Sequence, residues 1–215
     1  MSLNELYKIF TSSKHSQWII DAQDVDRLVK VVQLIDAKEI LECGTGIGAS
    51  TAVLAYATKG KVTTLEQYDK CIKIAKELIP QELQGKIEFV KSDPEVYSIP
   101  EIKYHYFSAY KEIPFKMYDL VFIDGPSPFL EEESLVNLPN GDIFTLLNNI
   151  KPGGYVYVDG RREAVKLMDR HLFPFLEKIN QASKFTLYQR TDKIFDKAGD
   201  LAHDNLKLGG YFENL

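Results

Sequence analysis

The chain has few of the features that mark secreted, membrane-spanning or nucleic-acid-binding proteins. Its 215 residues include only two cysteines, Cys43 and Cys71, so nothing suggests a disulfide framework and a reducing compartment is expected. No apolar run approaches the roughly 18 residues of a membrane span, and the N-terminus has no signal-peptide pattern. The net charge is -5, with Lys and Arg scattered along the chain, which disfavours a nucleic-acid partner. We expect a cytoplasmic protein that binds neither membranes nor nucleic acid.

The composition suits one folded domain. Hydrophobic residues make up 45% of the chain, which at this length supports one full core and not two. Residues 1–23 show no clear period and are interpreted as an N-terminal arm, whereas residues 24–215 form the single predicted domain. The arm ends near Trp18, Ile19 and Ile20, so we expect its apolar end to pack on the domain.

The most informative stretch is ILECGTGIGAST, residues 40–51. It reads as a buried strand, an acid (Glu42), three alternate glycines (Gly44, Gly46, Gly48) and small residues that begin a helix. Glycine serves where the backbone turns with positive φ or where a ligand approaches it closely. The helix that follows offers unpaired N–H groups and a positive dipole end. The pattern predicts a nucleotide-like cofactor site.

Two cofactors fit this loop, and the acid before it separates them. The spacing Gly44-x-Gly46-x-x-Ala49 also satisfies the dinucleotide fingerprint, so an NAD-dependent dehydrogenase is one alternative. Glu42 would repel a pyrophosphate, however, and would attract a cation. S-adenosylmethionine (SAM) carries an ammonium group and a sulfonium and has no phosphate, so the residues favour SAM.

Apolar periodicity predicts strands that alternate with helices. This order predicts an α/β fold, a doubly wound and mostly parallel seven-stranded sheet of Rossmann-like type with helices on both faces and an antiparallel C-terminal strand. The strands of the parallel part are predicted at 37–42, 62–65, 87–90, 120–123 and 155–158, and the helices at 24–35, 49–58, 69–79, 142–150 and 163–180. Pro174 predicts a kink or break in the last helix. Residues 185–189 and 207–212 are predicted to form a closing antiparallel pair, and the aromatic run IKYHYFSAY an extra strand or hairpin.

Several motifs occur in an order that resembles a known family. ILECGTGIG, VTTLEQ, IEFVKSD and YDLVFIDGP, followed by KPGGYVYVDG, resemble the class I SAM-dependent methyltransferases over about residues 24–190. VFIDGP and KPGG are similar to the small-molecule O-methyltransferase branch. The resemblance implies transfer of a methyl group from SAM to a small-molecule acceptor, at oxygen. The first alternative is a non-catalytic SAM-binding module that acts through a partner. An NAD-dependent dehydrogenase and an aminopropyltransferase are the further alternatives.

The cofactor residues are expected at the ends of successive strands, where ligands bind in such sheets. A carboxylate at Glu66 can accept hydrogen bonds from both ribose hydroxyls, and Tyr68 can stack on adenine. The resemblance implies that Asp93 binds the adenine amino group and that Asp124 faces the methyl group. The full expected set is Glu42, Gly44, Thr45, Gly46, Gly48, Ser50, Thr51, Glu66, Gln67, Tyr68, Asp93 and Asp124.

Asp124 and Asp159 are the expected catalytic residues, because the resemblance implies that Asp124 faces the methyl group and Asp159 ends the neighbouring predicted strand. Two such carboxylates can share a Mg²⁺ ion. The catechol-type O-methyltransferases, which this branch resembles, use such a pair with a following Asn and with a Lys soon after the first acid. Here Gly160 follows Asp159, and Ser127 and Pro128 stand in place of the Lys. The metal ligands are therefore left unassigned, and a magnesium requirement stays open.

Without that Lys, the general base has several candidates. His15, His105 and Asp124 can each accept a proton from a hydroxyl acceptor. Arg161 and Arg162 can bind an anionic acceptor through forked hydrogen bonds. By resemblance, the N-terminal arm covers the site, which makes His15, Gln17 and Trp18 candidates for that cover. The long connection over residues 125–141 is typical of a functional loop, and a homodimer is one expected assembly.

Overall fold

The structure is a computed structural model that describes residues 1–16, 19–98, 106–126 and 138–196, together with the backbone of residues 202–204. Its centre is a seven-stranded sheet in the order β3-β2-β1-β6-β7-β9-β8. A smaller sheet has the order β10-β4-β5. The strands are β1 Glu39–Cys43, β2 Lys61–Glu66, β3 Ile87–Lys91, β4 Pro94–Ser98, β5 Tyr106–Tyr110, β6 Tyr118–Ile123, β7 Ile150–Asp159, β8 Leu176–Ala182, β9 Phe185–Arg190 and β10 Ala202–Asp204.

Strand directions confirm the predicted fold class. Neighbours in the series β3-β2-β1-β6-β7 are all parallel, and β9 is antiparallel to both β7 and β8. Chain order reverses between β1 and β6, which creates a crevice at the carboxyl ends of these two strands. The glycine-rich segment begins at that crevice.

Helices cover both faces of the sheet, as expected for a doubly wound fold. They are α1 Leu3–Thr11, α2 Ala22–Leu34, α3 Ala49–Ala57, α4 Asp69–Leu78, α5 Gln81–Gln84, α6 Asp142–Leu146 and α7 Arg162–His171, and a 3-10 turn, Leu147–Asn149, follows α6. In the described part of the chain, no helix is long and apolar enough to cross a membrane.

The sheet separates two hydrophobic cores, because successive residues of each strand point to opposite faces. Ile40 of β1 joins the core formed with α1 to α5, whereas Leu41 and Cys43 join the core formed with α6, α7 and β5. The N-terminal segment contributes to the first core through Leu6 and Phe10, both fully buried on α1. Although the sequence of this segment shows no clear period, its residues 3–11 form a complete capped helix.

The last predicted helix is too long. It was expected over residues 163–180, but α7 ends at His171 and residues 176–182 form strand β8. Pro174 lies between the helix and the strand. Because a proline lacks the N–H group that would continue the helix, the helix ends before this residue. The apolar spacing of Leu172 and Leu176 fits either structure, and pairing with β9 decides for the strand.

The predicted closing strand pair is also wrong in its partners. Both edges of β9 are occupied, by β7 on one side and by β8 on the other, so a strand at 207–212 has no free edge of β9 to join. Residues 207–212 themselves lie outside the described part. The aromatic run does contain a strand, since β5 pairs with β4 in the smaller sheet; Ile102 and Tyr104 lie outside the described residues.

Candidate functional site

A cavity of about 820 Å³ opens at the carboxyl ends of β1, β2, β6 and β7. Its volume lies within the range of small-molecule and cofactor sites. Parallel strands bring their carboxyl ends to one edge, so residues far apart in sequence meet there. The residues expected from the sequence that line this cavity are Gly44, Thr45, Gly46, Ser50, Glu66, Gln67, Tyr68, Asp124 and Asp159.

The structure does not bring four of the expected residues to the cavity wall. Glu42, Gly48, Thr51 and Asp93 do not line the cavity; Glu42 and Thr51 are fully buried, and Asp93 is exposed. Each has another structural partner. The expected direct contact of Glu42 with the ammonium group of SAM is therefore not supported by the position of its side chain.

The glycine loop owes its shape to backbone that other residues rarely adopt. Gly44 has φ +101°, and a Cβ atom there would lie 2.8 Å from Cα of Gly125, so the loop touches the turn after β6. Gly48 has φ +88°, and its Cβ would lie 2.8 Å from Cβ of Ala75 on α4. Gly44 thus permits contact between two loops, and Gly48 permits helix packing.

Glu66 connects the end of β2 to this loop. Its Oε2 accepts a hydrogen bond from the N–H of Gly46 and its Oε1 one from the N–H of Tyr68, both at 2.9 Å. Burial raises the pKa of Glu66, and hydrogen bonds from the backbone N–H groups oppose the rise. Each carboxylate oxygen has a second lone pair, so a cavity-facing carboxylate remains able to bind the hydroxyls of a ribose.

Glu42 is fully buried below the cavity floor. Its Oε2 accepts hydrogen bonds from the hydroxyls of Thr51 and Thr64, the latter at 2.6 Å, while Oε1 has no hydrogen-bond partner in the described residues. Burial raises the pKa of Glu42 to about 7 against the opposing effect of nearby hydroxyls, that of Ser50 among them. Ser50 lines the cavity, so Glu42 borders the site through this side chain.

Asp93 follows β3 but faces solvent. Its side chain is 75% exposed and forms an ion pair with Lys91. Ser92, the preceding residue, is buried, and its hydroxyl accepts a hydrogen bond from the N–H of Glu112 at 2.9 Å. The turn is thus held through Ser92, and the carboxylate of Asp93 is directed away from the cavity.

Asp124 and Asp159 lie at neighbouring strand ends, next to the paired residues Ile123 and Val158. Arg161 contacts the first of them: its Nη2 donates to the carbonyl oxygen of Asp124 and, at 3.2 Å, to Oδ1 of Asp124. Burial raises the pKa of both carboxyl groups, and the charge of Arg161 opposes the rise in each. The pKa of Asp159 reaches about 7, since the carboxylates of Asp124 and Asp24 raise it further.

These residues do not fit a divalent metal. An octahedral Mg²⁺ site needs several oxygen ligands, and Gly160 supplies no side chain beside the two acids. Within the described ranges, no three His, Cys, Asp or Glu side chains form a group that could hold a metal ion. The guanidinium of Arg161 is bonded to Asp124, one of the two carboxylates that the ion would need.

The cavity also contains residues that the sequence did not single out for it. Ile19, Ile20 and Asp24 reach it from the N-terminal side, and Tyr110 and Asn140 from the smaller sheet and the segment beside it. Asn140 is buried and donates to the carbonyl of Pro126 at 2.8 Å. Tyr110 stands in an alternating aromatic run. Such a run predicts a strand, but it does not show which of its residues border the cavity.

The remaining candidates from the sequence lie in the cavity, away from it, or outside the described residues. His15 is described and does not line the cavity, whereas Arg162 does. Gln17, Trp18, His105, Ser127 and Pro128, and residues 127–137 of the long connection, lie outside the described part of the chain. Of the proton acceptors expected from the sequence, Asp124 thus lines the cavity, and Asp159, the other expected catalytic residue, lines it as well.

Comparison with known proteins places this arrangement in a family. A family model described as O-methyltransferase matches residues 1–184. Three solved structures share the fold: an O-methyltransferase from Bacillus cereus in complex with SAH (S-adenosylhomocysteine), a SAM-dependent O-methyltransferase from Thermotoga maritima, and an O-methyltransferase from Streptomyces achromogenes involved in tomaymycin synthesis, in complex with SAM.

The structural similarity extends over most of this chain. The Bacillus cereus protein has a TM-score of 0.60 at 18% identity and covers 88% of this chain and 90% of its own. The Thermotoga maritima protein has a TM-score of 0.63 at 18% identity, and the match covers 89% of this chain and 73% of that protein. The Streptomyces achromogenes protein has a TM-score of 0.57 at 19% identity, and the match covers 88% of this chain and 89% of that protein. Because the family model matches most of the sequence, the chain belongs to the O-methyltransferase family, within the class I SAM-dependent methyltransferases that its motifs resemble.

Proposed function

We propose that this chain binds SAM in the cavity and transfers its methyl group to an oxygen of a small-molecule acceptor. The observation that carries the proposal is the meeting of Glu66, the glycine loop and the Asp124–Asp159 pair in one cavity. Glu66 would bind the ribose hydroxyls, Tyr68 the adenine, and the backbone at Gly44 and Gly46 the methionine part.

The acceptor would lie on the Asp159 side of the cavity. Transfer breaks the bond between sulfur and the methyl carbon and forms a carbon–oxygen bond, while the acceptor hydroxyl loses its proton. Asp159 lines the cavity beside Asp124 and is the proposed proton acceptor; a pKa of about 7 suits this task near neutral pH. Alignment of oxygen, methyl group and sulfur would supply much of the remaining acceleration.

The N-terminal arm is proposed to form part of the cover over the bound molecules. Ile19 and Ile20 line the cavity and offer it an apolar wall. α1, at the start of the arm, is anchored in the core by Leu6 and Phe10, so it has a fixed position from which to do this. The cytoplasmic location and a homodimeric assembly remain predictions from the sequence.

Calorimetric titration with SAH and with NAD tests the cofactor. We expect micromolar binding of SAH, within the range usual for such small ligands, and no heat from NAD. Transfer of a labelled methyl group from SAM to a panel of phenols, sugars and carboxylates then tests the reaction. Binding of NAD instead of SAH would overturn the proposal, and SAH binding without transfer to any acceptor would favour a non-catalytic module.

Variants of the two acids test their roles. Asp159→Asn should lower kcat by about 100-fold or more, as loss of a general base does, with SAH affinity nearly unchanged. Asp124→Asn should lower both kcat and SAH affinity. Asp26→Asn, an exposed acid on α2, is the matched control and should behave as the wild type. Unchanged kcat in Asp159→Asn would remove Asp159 from the mechanism.

A further inference from the structure

Arg161 is positioned by the turn that follows β7. Gly160 has φ +60°, and its N–H donates to the carbonyl of Lys184 at 2.7 Å. This conformation turns the chain back, so that the next side chain lies over the end of β6. There Nη2 of Arg161 bonds to both the carbonyl and Oδ1 of Asp124. The contact joins two neighbouring strand ends at the cavity.

The guanidinium supplies positive charge to the two carboxylates, which is the role that a divalent cation would otherwise have. Asp124 and Asp159 repel each other, since each raises the free energy of ionising its neighbour, and the positive charge of Arg161 acts on both. A metal ion at the same carboxylates would be held against a fixed cation. The donor set beside it is short as well, because residue 160 is a glycine.

Part of the guanidinium remains unused. Only Nη2 has hydrogen-bond partners among the described residues, which leaves the N–H groups of Nε and Nη1 available. The side chain lines the cavity and is 28% exposed. Guanidinium N–H groups form strong hydrogen bonds to anionic oxygens. The other cations of the wall are less suited, because Lys184 is paired with Asp21 and Arg162 is exposed.

We propose that Arg161 is the resident cation of this site: it neutralises Asp124 and Asp159 in place of a divalent metal, and its free N–H groups hold the oxyanion of the deprotonated acceptor. The first half of this inference concerns the charge balance of the cavity and stands by itself. The second half rests on the proposed methyl transfer. An acceptor that carries a hydroxyl of lowered pKa, such as a phenol, is the class that this arrangement would take.

A titration with Mn²⁺, followed by the electron paramagnetic resonance signal of the free ion, tests the first half. Arg161→Gln keeps much of the side-chain volume and removes the charge. We expect it to bind Mn²⁺ at least about tenfold more tightly than the wild type, because two carboxylates lose their compensating cation. Arg162→Gln changes the net charge equally without touching Asp124 and should bind Mn²⁺ as the wild type does. Equal affinity in Arg161→Gln and the wild type, whether tight or weak, would overturn the inference.

Steady-state kinetics test the second half. Chelator treatment should leave wild-type transfer to a phenolic acceptor unchanged, and Arg161→Gln should raise KM for that acceptor at least about tenfold. The affinity for SAH and the unfolding midpoint should stay close to wild type, which separates acceptor binding from structural damage. Loss of wild-type transfer on chelation would overturn the inference. Absence of SAH binding by the wild type would instead refute the proposed function and leave the Mn²⁺ result to judge the charge balance.

Discussion

The carboxylate of Glu66 and the N–H of Gly46 are joined by a hydrogen bond of 2.9 Å. This bond connects the end of β2 to the glycine loop, and it fixes the loop and the carboxylate relative to each other. A ligand that binds both then meets a wall that is already ordered, so little entropy is lost on binding.

Glu66 and Asp93 make a matched pair for testing cofactor affinity, because both acids follow parallel strands but only Glu66 lines the cavity. Glu66→Ala should weaken SAH binding by about 10- to 100-fold, the value of hydrogen bonds to a charged group. Asp93→Ala should change it less than about threefold, since its side chain is 75% exposed. Calorimetry measures both. Equal losses would mean that Asp93 has the adenine role expected from the sequence.

Gly44 and Gly46 should differ in their effect on stability. Gly44→Ala places a Cβ atom 2.8 Å from Gly125 at φ +101°, and we expect a loss of at least about 2 kcal/mol in the free energy of unfolding. Gly46→Ala meets no atom within 4 Å at φ +52° and should lose about 1 kcal/mol. Urea unfolding compares them. A larger loss in Gly46→Ala would contradict the close contact between the two loops.

Glu42 should make stability depend on pH in the neutral range. Its pKa in the folded protein is raised from 4.5 to about 7 by burial, so the folded state retains a proton that the unfolded state has released. The free energy of unfolding should therefore fall as pH rises from about 4.5 to about 7, by up to about 3 kcal/mol. Glu42→Gln, which cannot ionise, should reduce this fall.

Urea unfolding of Glu42→Gln and wild type at several pH values measures this difference. The comparison uses the slope with pH, because the substitution also changes the hydrogen bonds of Thr51 and Thr64 by a constant amount. Glu88→Gln is a suitable control: its pKa is lowered by Lys116, so it contributes in the opposite sense and at lower pH. Parallel curves for Glu42→Gln and wild type would disprove the assignment.

Phe10 and Phe115 test whether the first helix belongs to the fold. Phe10 on α1 is fully buried and Phe115 is 92% exposed. Phe10→Ala should lower the free energy of unfolding by about 3 kcal/mol or more, and Phe115→Ala should change it by less than about 0.5 kcal/mol. Thermal and urea unfolding give both values. A negligible effect of Phe10→Ala would mean that α1 contributes little to stability.

The misread stretch at residues 163–180 shows where periodicity fails. Its apolar residues follow helical spacing, yet the helix stops at His171 and the following residues pair with β9. The spacing predicts which side chains are buried, and Leu172 and Leu176 are indeed buried. The partner strand is what distinguishes a strand from a helix here, and local sequence does not contain it.

In the site, too, local sequence predicts some features, whereas others depend on tertiary contacts. Alternating glycines and acids after apolar runs predicted that strand ends form the cavity, because a parallel sheet places these ends at one edge. They did not show that Gly48 serves helix packing, that Glu42 is bonded to two threonines, or that Asp93 faces solvent. Those facts depend on neighbours from other elements.

Local periodicity and backbone preference were enough to locate the five parallel strands, the helices between them, the glycine loop and the acids at the strand ends. The three-dimensional packing was needed to see which of these acids lie in the cavity, that Arg161 lies against Asp124, and that Tyr110 and Asn140 form part of the wall. The physical reason is that side-chain contacts across a sheet join residues distant along the chain, and their distances depend on packing and not on local sequence.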